Sequence, residues 1–515
     1  MVLASGDRLK LDGGLNPASS EKLITLAVAT ILTLVSIVLM LKCTSPEFSW
    51  DEADYLTNTA KHWGFLWGLF EDTRHFHGPL ATDLAKLGQE VLPAWVGSLE
   101  VRLRFFEALA GSLAVGFLYW TLRLHFRTSR AAALVGSSLL LFSVIRLEET
   151  SIIGPHDLML LCTLAVAGLG YRWRDRPTWQ ASLGLGGVIA FGALSMTYVI
   201  PVILCWAVAV SLVGTGWFAW DRTNLKVSWM VFVALATAAT IVLAVWPPGV
   251  LQMTIIKDFW IFLHYRPRPI FVGGRIFQTA PRWAAVYWLA HMEGPIIAFS
   301  LLIALIALWK AFKRGSLSSK HAWLAIFLAF FSAAAITAHL AGARNLLQFI
   351  GVLCLAAGAL FDDALGSEHR LLRSCAATAV IILAAANLAW LSLGSPYTPF
   401  FATDGYRAFL KENSDRLREP ATAQVYGMPI LNYYARQYGK SIAWNAEEVR
   451  WTPRADIQLP ADLKYVLIPA FFYNNMPAEQ PMRRVVAKHW KVVWSYRVDH
   501  AWELRLYQNP QLPSP

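Results

Sequence analysis

Charge is scarce in this chain. Of its 515 residues only 15% are Asp, Glu, Lys or Arg, against roughly 25% in soluble proteins. A soluble multidomain enzyme is excluded on that ground, because its several polar surfaces would need far more charge. Cysteine is equally sparse. Of five, Cys162, Cys205 and Cys354 lie inside apolar runs, Cys375 begins another and Cys43 stands alone, which gives neither a zinc spacing nor a disulfide framework. Four of the apolar runs, at 181–196, 198–217, 227–245 and 374–393, hold no ionisable residue. A charge in hydrocarbon usually marks an ion or proton path, so this absence argues against a proton-coupled transporter.

What is present is apolar. Hydrophobic residues make up 56% of the chain, mean hydropathy is +0.43, and runs near 20 residues recur, the length that crosses a bilayer. The expected architecture is a polytopic α-helical membrane protein with about eleven spans, near 23–41, 105–124, 131–145, 157–171, 181–196, 198–217, 227–245, 294–311, 322–340, 345–361 and 374–393. The first run is too long for a signal-peptide core and lacks a small-residue cleavage site before Cys43, so it reads as a retained anchor.

The net charge of +11 reports topology rather than a nucleic-acid partner. With the N-terminus inside, the inner loops carry Arg123, Arg127 and Arg130, then Arg172, Arg174 and Arg176, then Arg222 and Lys226, then Lys310, Lys313, Arg314 and Lys320, a positive-inside pattern. An odd number of spans puts the C-terminus outside. The outer side then receives three polar segments: 42–104, 246–293 and a tail from 395 to 515. The division expected is a membrane domain over 1–394 and a small α/β domain over 395–515. Within the latter, β-type runs lie at 465–468 and 492–496 and a helix-like stretch at 406–417. The tail carries no cofactor fingerprint.

In the first outer segment Leu56, Ala60, Trp63, Trp67 and Phe70 recur at spacings of 4, 3, 4 and 3. That is one apolar helix face, suited to the membrane interface. Asp51 and Glu52 occupy its first turn. Ser49 and Glu52 form an S-x-x-E capping box, so Glu52 is explained by capping as well as by function. Asp51 is held ionised just above the membrane, able to accept a proton or bind a cation. His75 and His77 precede a second amphipathic stretch, Leu80, Leu84, Leu87 and Val91, with Pro79 suited to its first turn. Two histidines at i and i+2 fit a phosphate oxygen, a metal or plain solvation.

Asp157, preceded by His156, starts a membrane helix on the same side as Asp51. Two acids converging from separate connections make an acid–base or cation site. The segment from 246 to 293 carries Lys257, His264, Arg266, Arg268, Arg275 and Arg282 against the topological bias, which suits an anionic lipid phosphate or generic headgroups. Arg344, at the outer end of the tenth span, is placed to anchor a phosphate or to snorkel.

Together these residues resemble the GT-C superfamily of membrane glycosyltransferases, particularly the family 39 group of protein O-mannosyltransferases and lipid A aminoarabinose transferases. Asp51-Glu52 with Tyr55 resembles the Asp-Glu motif of the first outer loop, and His77-Gly78-Pro79-Leu80 a Pro-Pro-Leu-like element. Val101-Arg102-Leu103 with Ala110-Gly111 resembles the start of the second span, Asp157 the second acidic position, and Ala343-Arg344-Asn345-Leu346-Leu347 an Arg-Tyr-Leu-Leu-Pro element. Asn345 stands where tyrosine is usual, Gln348 where proline is usual, and Gly78 where many members have Pro or Lys.

The resemblance implies a polyprenyl-phosphate sugar as donor and a lipid, glycan or protein acceptor presenting a hydroxyl or amine at the outer face of the membrane. The topology, without a retention or lipid-anchor signal, points to a bacterial inner membrane with the site facing the periplasm, ahead of an endoplasmic-reticulum membrane with a lumenal site. It implies Asp51, Glu52 and Asp157 as catalytic residues, with Asp51 the general base of an inverting displacement. Tyr55, His75, His77, His156, Arg268, Arg275 and Arg344 are the implied substrate-binding residues, the arginines meeting the leaving phosphate. A divalent metal is the other candidate for that role, since some relatives depend on one and others do not. A transporter or flippase of an anionic polyprenyl lipid is the rival reading, and a non-catalytic assembly subunit a third.

Overall fold

The computed structural model describes residues 17–43, 47, 52–53, 78–150, 152–175, 177–213, 222–263, 270–272, 275–277, 281, 283–315, 317–337, 343–366, 370–394, 405–419, 421–424, 428–442, 444–447, 462–470, 490–497 and 503–512. Among these residues each of the eleven expected spans overlaps a helix, the third only in part. In chain order they are Pro17–Cys43, Leu99–Leu124, Arg130–Leu141, His156–Asp175, Trp179–Ser195, Val199–Val213, Arg222–Val245, Pro295–Lys313, Ser319–Thr337, Leu347–Leu365 and Arg370–Gly394. Five of the described helical stretches are long and apolar enough to cross a membrane alone, six if the bent pair 284–293 and 297–313 counts as one.

Burial sorts the helices. The stretch Ala343–Leu365 has 89% of its apolar window buried within the protein and Leu99–Leu124 has 67%, whereas Arg370–Leu391 has 17%. The first two are therefore the centre of the bundle and the last faces lipid. Small residues allow the close approaches. At Gly116 a Cβ would lie 2.5 Å from the Ala29 carbonyl oxygen, so the helices Pro17–Cys43 and Leu99–Leu124 pack there nearly backbone to backbone.

Side-chain caps fix several helix starts. Ser98 and Thr178 accept from the N–H three residues on, and Ser129 accepts from Ala132 N while donating to Asp362. Asp362 also accepts from Ser129 N and Arg373 Nη1. Lys320 pairs with Asp363, and Glu21 pairs with Arg123 and Arg130. The loop bearing Arg123 and Arg130 is thus tied to the starts of the first and last bundle helices and to the C-terminal end of the central one, which also receives Lys320.

The expected third span, 131–145, is not one helix. The chain leaves helical form at Phe142 and Ser143 and resumes as Val144–Thr150. The reason is Arg146. Its buried guanidinium donates to the Leu140 carbonyl (2.8 Å) and the Leu141 carbonyl (2.9 Å), satisfying acceptors that a continuing helix would have used. The break is closed on its other side by Glu293, which accepts from Ser143 Oγ and Ile145 N.

At the opposite end of the bundle lie Leu80–Val91 and the tail. Leu80–Val91 is the expected second amphipathic helix, with Pro79 as its N-cap. It buries its small residues Ala81, Ala85 and Gly88 and leaves Leu87 and Val91 exposed. The first interfacial helix is described only at Glu52 and Ala53, both helical. Between the seventh and eighth bundle helices come Thr254–Leu263 and a two-stranded hairpin of β1, Ile270–Val272, and β2, Arg275–Phe277.

The tail forms the α/β unit expected from its pattern. Five strands, β3 (Ala421–Gln424), β4 (Asn445–Glu447), β5 (Tyr465–Pro469), β6 (Lys491–Arg497) and β7 (Glu503–Gln508), make one sheet in the order β4-β3-β5-β7-β6. The β4-β3-β5 part is parallel and the β5-β7-β6 part antiparallel. The helices Tyr406–Glu412 and Met428–Gln437 pack on it through Phe409, Leu410, Ile430 and Leu431.

Candidate active site

The tail-side end of the Leu99–Leu124 helix carries Glu100, Arg104, Glu107 and Gly111 at spacings of 4, 3 and 4, which places all four on one face. Each is engaged. Arg104 is fully buried and grips Glu52 by two parallel bonds, Nε to Oε1 at 2.6 Å and Nη2 to Oε2 at 2.8 Å. Its Nη2 also donates to the Glu47 carbonyl at 2.8 Å. A bidentate pair of this kind fixes position as well as charge. Glu52 accepts further from the Ile153 N–H at 2.7 Å, and Glu107 from the Gly154 N–H at 2.6 Å. Two carboxylates thereby hold the connection that leads into Asp157.

Asp157 is buried in the first turn of His156–Asp175. Its carboxyl lies against Gly111, where a Cβ would come within 2.6–2.7 Å of all three carboxyl atoms. A larger residue at 111 would have to push the Asp157 carboxyl out of this position. Glu107 is within electrostatic reach of both Asp157 and Glu52, so three acids and one guanidinium share the rim. Ser112, the next residue, accepts from Ser36, which in turn accepts from Arg146, tying this helix face to the first helix and to the broken third span.

His156 is buried, with its ring edge-on to Tyr198 at 6.2 Å between centroids. Tyr198 donates its hydroxyl to Asn345 Oδ1 at 3.1 Å and lies within the field of Arg344. Arg344 is half-buried in the 3₁₀ turn Ala343–Leu346, which leads into the central helix. The series Asp157, His156, Tyr198, Asn345, Arg344 therefore crosses from one connection to another without leaving the rim.

The structure brings Glu52, Asp157, His156 and Arg344 of the expected residues to this end. Asp51, Tyr55, His75, His77 and Arg268 lie outside the described residues. Arg275 is placed by its backbone, as the register partner of Val272 in the hairpin. Arg104, Glu107 and Tyr198 were not singled out by sequence, whereas Asn345 was noted for standing where tyrosine is usual. The i, i+4, i+7 and i+11 spacing from Glu100 was the available signal for Arg104 and Glu107. Among the described residues no group of three or more His, Cys, Asp or Glu side chains is arranged to hold a metal ion.

Groups from the tail complete this end. Glu47, buried, accepts from the N–H of Tyr406 (3.0 Å) and of Arg407 (3.2 Å). Glu100 Oε1 takes the Arg407 guanidinium at 3.1 Å and the Tyr434 hydroxyl at 3.0 Å. Burial opposes charge on Arg407, but Glu100, Tyr434 and Glu47 more than offset it and raise its pKa further. Tyr406 is pushed up by burial, with Glu47 adding to the effect.

No protein-family model matches the chain, and no curated protein does. Solved structures do. The oligosaccharyltransferase of Archaeoglobus fulgidus, tethered with an acceptor peptide containing the NVT sequon, superposes with a TM-score of 0.58 at 14% identity, covering 95% of this chain and 74% of that one. Apo ArnT of Cupriavidus metallidurans gives 0.54 at 13% identity, covering 96% and 98%. The same enzyme bound to undecaprenyl phosphate gives 0.51 at 12%, covering 97% and 100%. These neighbours are GT-C glycosyltransferases, and the chain has their polytopic membrane fold.

Proposed function

We propose that the chain transfers a sugar from a polyprenyl-phosphate donor to an acceptor hydroxyl or amine at the outer face of a bacterial inner membrane. The observation that carries this is the gathering of Glu52, Glu107 and Asp157 with the Tyr198–Asn345–Arg344 series at one rim of a GT-C fold. A polyprenyl carrier keeps its isoprenoid in the bilayer and its sugar-phosphate in water, so its reacting bond sits at such a rim. The undecaprenyl phosphate of ArnT and the acceptor peptide of the archaeal enzyme support the same pairing of substrates.

In the proposed reaction Asp51 takes the acceptor proton as the acceptor atom attacks the anomeric carbon. The bond from that carbon to the phosphate oxygen breaks, and configuration inverts in one displacement. Arg344 meets the charge growing on the departing phosphate, with Arg268 or Arg275 and His77 as further donors. Glu52 acts by position. Its carboxylate is committed to Arg104 and to Ile153, so it fixes the residue beside the base and the connection before Asp157. Asp157 and His156 orient the substrates from the opposite side, and Tyr55 and His75 line the donor head. Residues 395–515 form the periplasmic unit.

Binding tests the donor half of the reading. Undecaprenyl phosphate should raise the thermal midpoint of the purified protein in detergent. Arg344→Ala should weaken its apparent affinity about 10- to 100-fold, the worth of one charge-assisted contact to phosphate. An unchanged affinity would remove Arg344 from the site.

A further inference from the structure

We propose that Glu47 is a positioning residue that makes docking of the tail a condition for the arrangement of the catalytic carboxylates. Its two ends face different parts of the molecule. The side chain caps the first helix of the tail, accepting from the N–H of Tyr406 and of Arg407, with the Arg407 guanidinium 3.6 Å away. The backbone carbonyl accepts from Arg104 Nη2. Arg104 in turn clamps Glu52, and Glu52 holds Ile153. From the tail to the connection before Asp157 the series runs through Glu47, Arg104 and Glu52, with every bond between 2.6 and 3.2 Å.

Two further contacts run parallel to this series. Glu100, one turn before Arg104 on the same helix face, receives Arg407 and Tyr434 from the tail. Ala53, which follows Glu52, and Ile153, which Glu52 holds, belong to one apolar cluster with Tyr406, Phe409 and Leu410. The core of the tail therefore continues into the two segments that flank the acids. A tail tethered only by its linker would make none of these bonds. Tyr406 and Arg407 expose their N–H groups at a helix start, where two unsatisfied donors favour a carboxylate. When Glu47 supplies it, the Glu47 backbone is fixed at the place where Arg104 needs an acceptor.

The consequence for turnover rests on the transferase reading; the consequence for local stability does not. Hydrogen exchange at Ile153 and Gly154 reads the second directly. Glu47→Ala and Arg407→Ala, made in the full chain, should each speed exchange at Ile153 about tenfold, although Arg407 lies more than 250 positions away in sequence. Where sugar transfer is measurable, both variants should lower kcat about tenfold with the donor KM within twofold, because the carboxylates and not the lipid site are disturbed. Unchanged protection at Ile153 in Glu47→Ala overturns the proposal whether or not the tail helix loosens. Loss of protection in a protein that transfers no sugar would leave the proposal standing and strike the function instead.

Discussion

At the scale of single residues, the rim works by leaving no slack. The Gly111 contact is the sharpest instance, since the Asp157 carboxyl occupies the space a methyl group would take. Gly111→Ala should displace Asp157 by a fraction of an ångström to an ångström and lower turnover about 100-fold, while overpacking costs about 1–3 kcal/mol of stability. Steady-state kinetics beside a thermal midpoint will show both, and turnover within twofold of the parent would mean that Asp157 is not held by this helix. Sequence disclosed Asp157 and Arg344 because each is a charged residue at the edge of an apolar run. It did not disclose Arg104 and Glu107, whose partners lie on other segments: the Glu52 carboxylate for Arg104 and the Gly154 N–H for Glu107. Such a pairing has no local signature except the shared helix face.

At the scale of elements, hydropathy located the helices because each span must satisfy its own backbone in hydrocarbon. It missed the break at residues 142–143, where the capping group, Arg146, follows the break and Glu293 comes from another part of the chain. The surface helix Thr254–Leu263 carries an element-level prediction. It exposes Ile256 and Trp260 yet half-buries Asp258, whose Oδ2 has no hydrogen-bond partner among the described residues. Burial raises the Asp258 carboxyl from 3.8 to about 6. A raised carboxylate pKa favours the folded state below the unfolded value, near pH 4, and that contribution is lost as pH rises through about 6. Asp258→Asn should therefore raise the thermal midpoint above pH 6 and flatten its change between pH 4 and 6. The gain is about 1 kcal/mol after discounting for the half-exposed position. A midpoint that falls at pH 7.5 on this substitution would contradict the assignment.

At the scale of the whole molecule, eleven apolar runs indicated a polytopic membrane protein, and the motifs around Asp51-Glu52, His77–Leu80, Asp157 and Arg344 resembled those of GT-C enzymes. Solved GT-C structures share the fold along more than nine-tenths of the chain. Two of the five strands of the tail, at 465–468 and 492–496, were legible as β-type runs, but its docking was not. Glu47 and Glu100 meet residues more than 300 positions away, and charge complementarity at that separation leaves no periodic trace. The result is one rim, built by the first loop, three helix starts and the tail, where carboxylates and an arginine stand together above an apolar bundle. Sugar transfer from a polyprenyl-phosphate donor, measured with purified full-length protein and with its Asp51→Asn variant, tests that account most directly. The account predicts transfer with inversion by the parent and a loss of about 10²- to 10⁴-fold in the variant, the usual worth of a general base. A folded Asp51→Asn protein that turns over at the parental rate would contradict it.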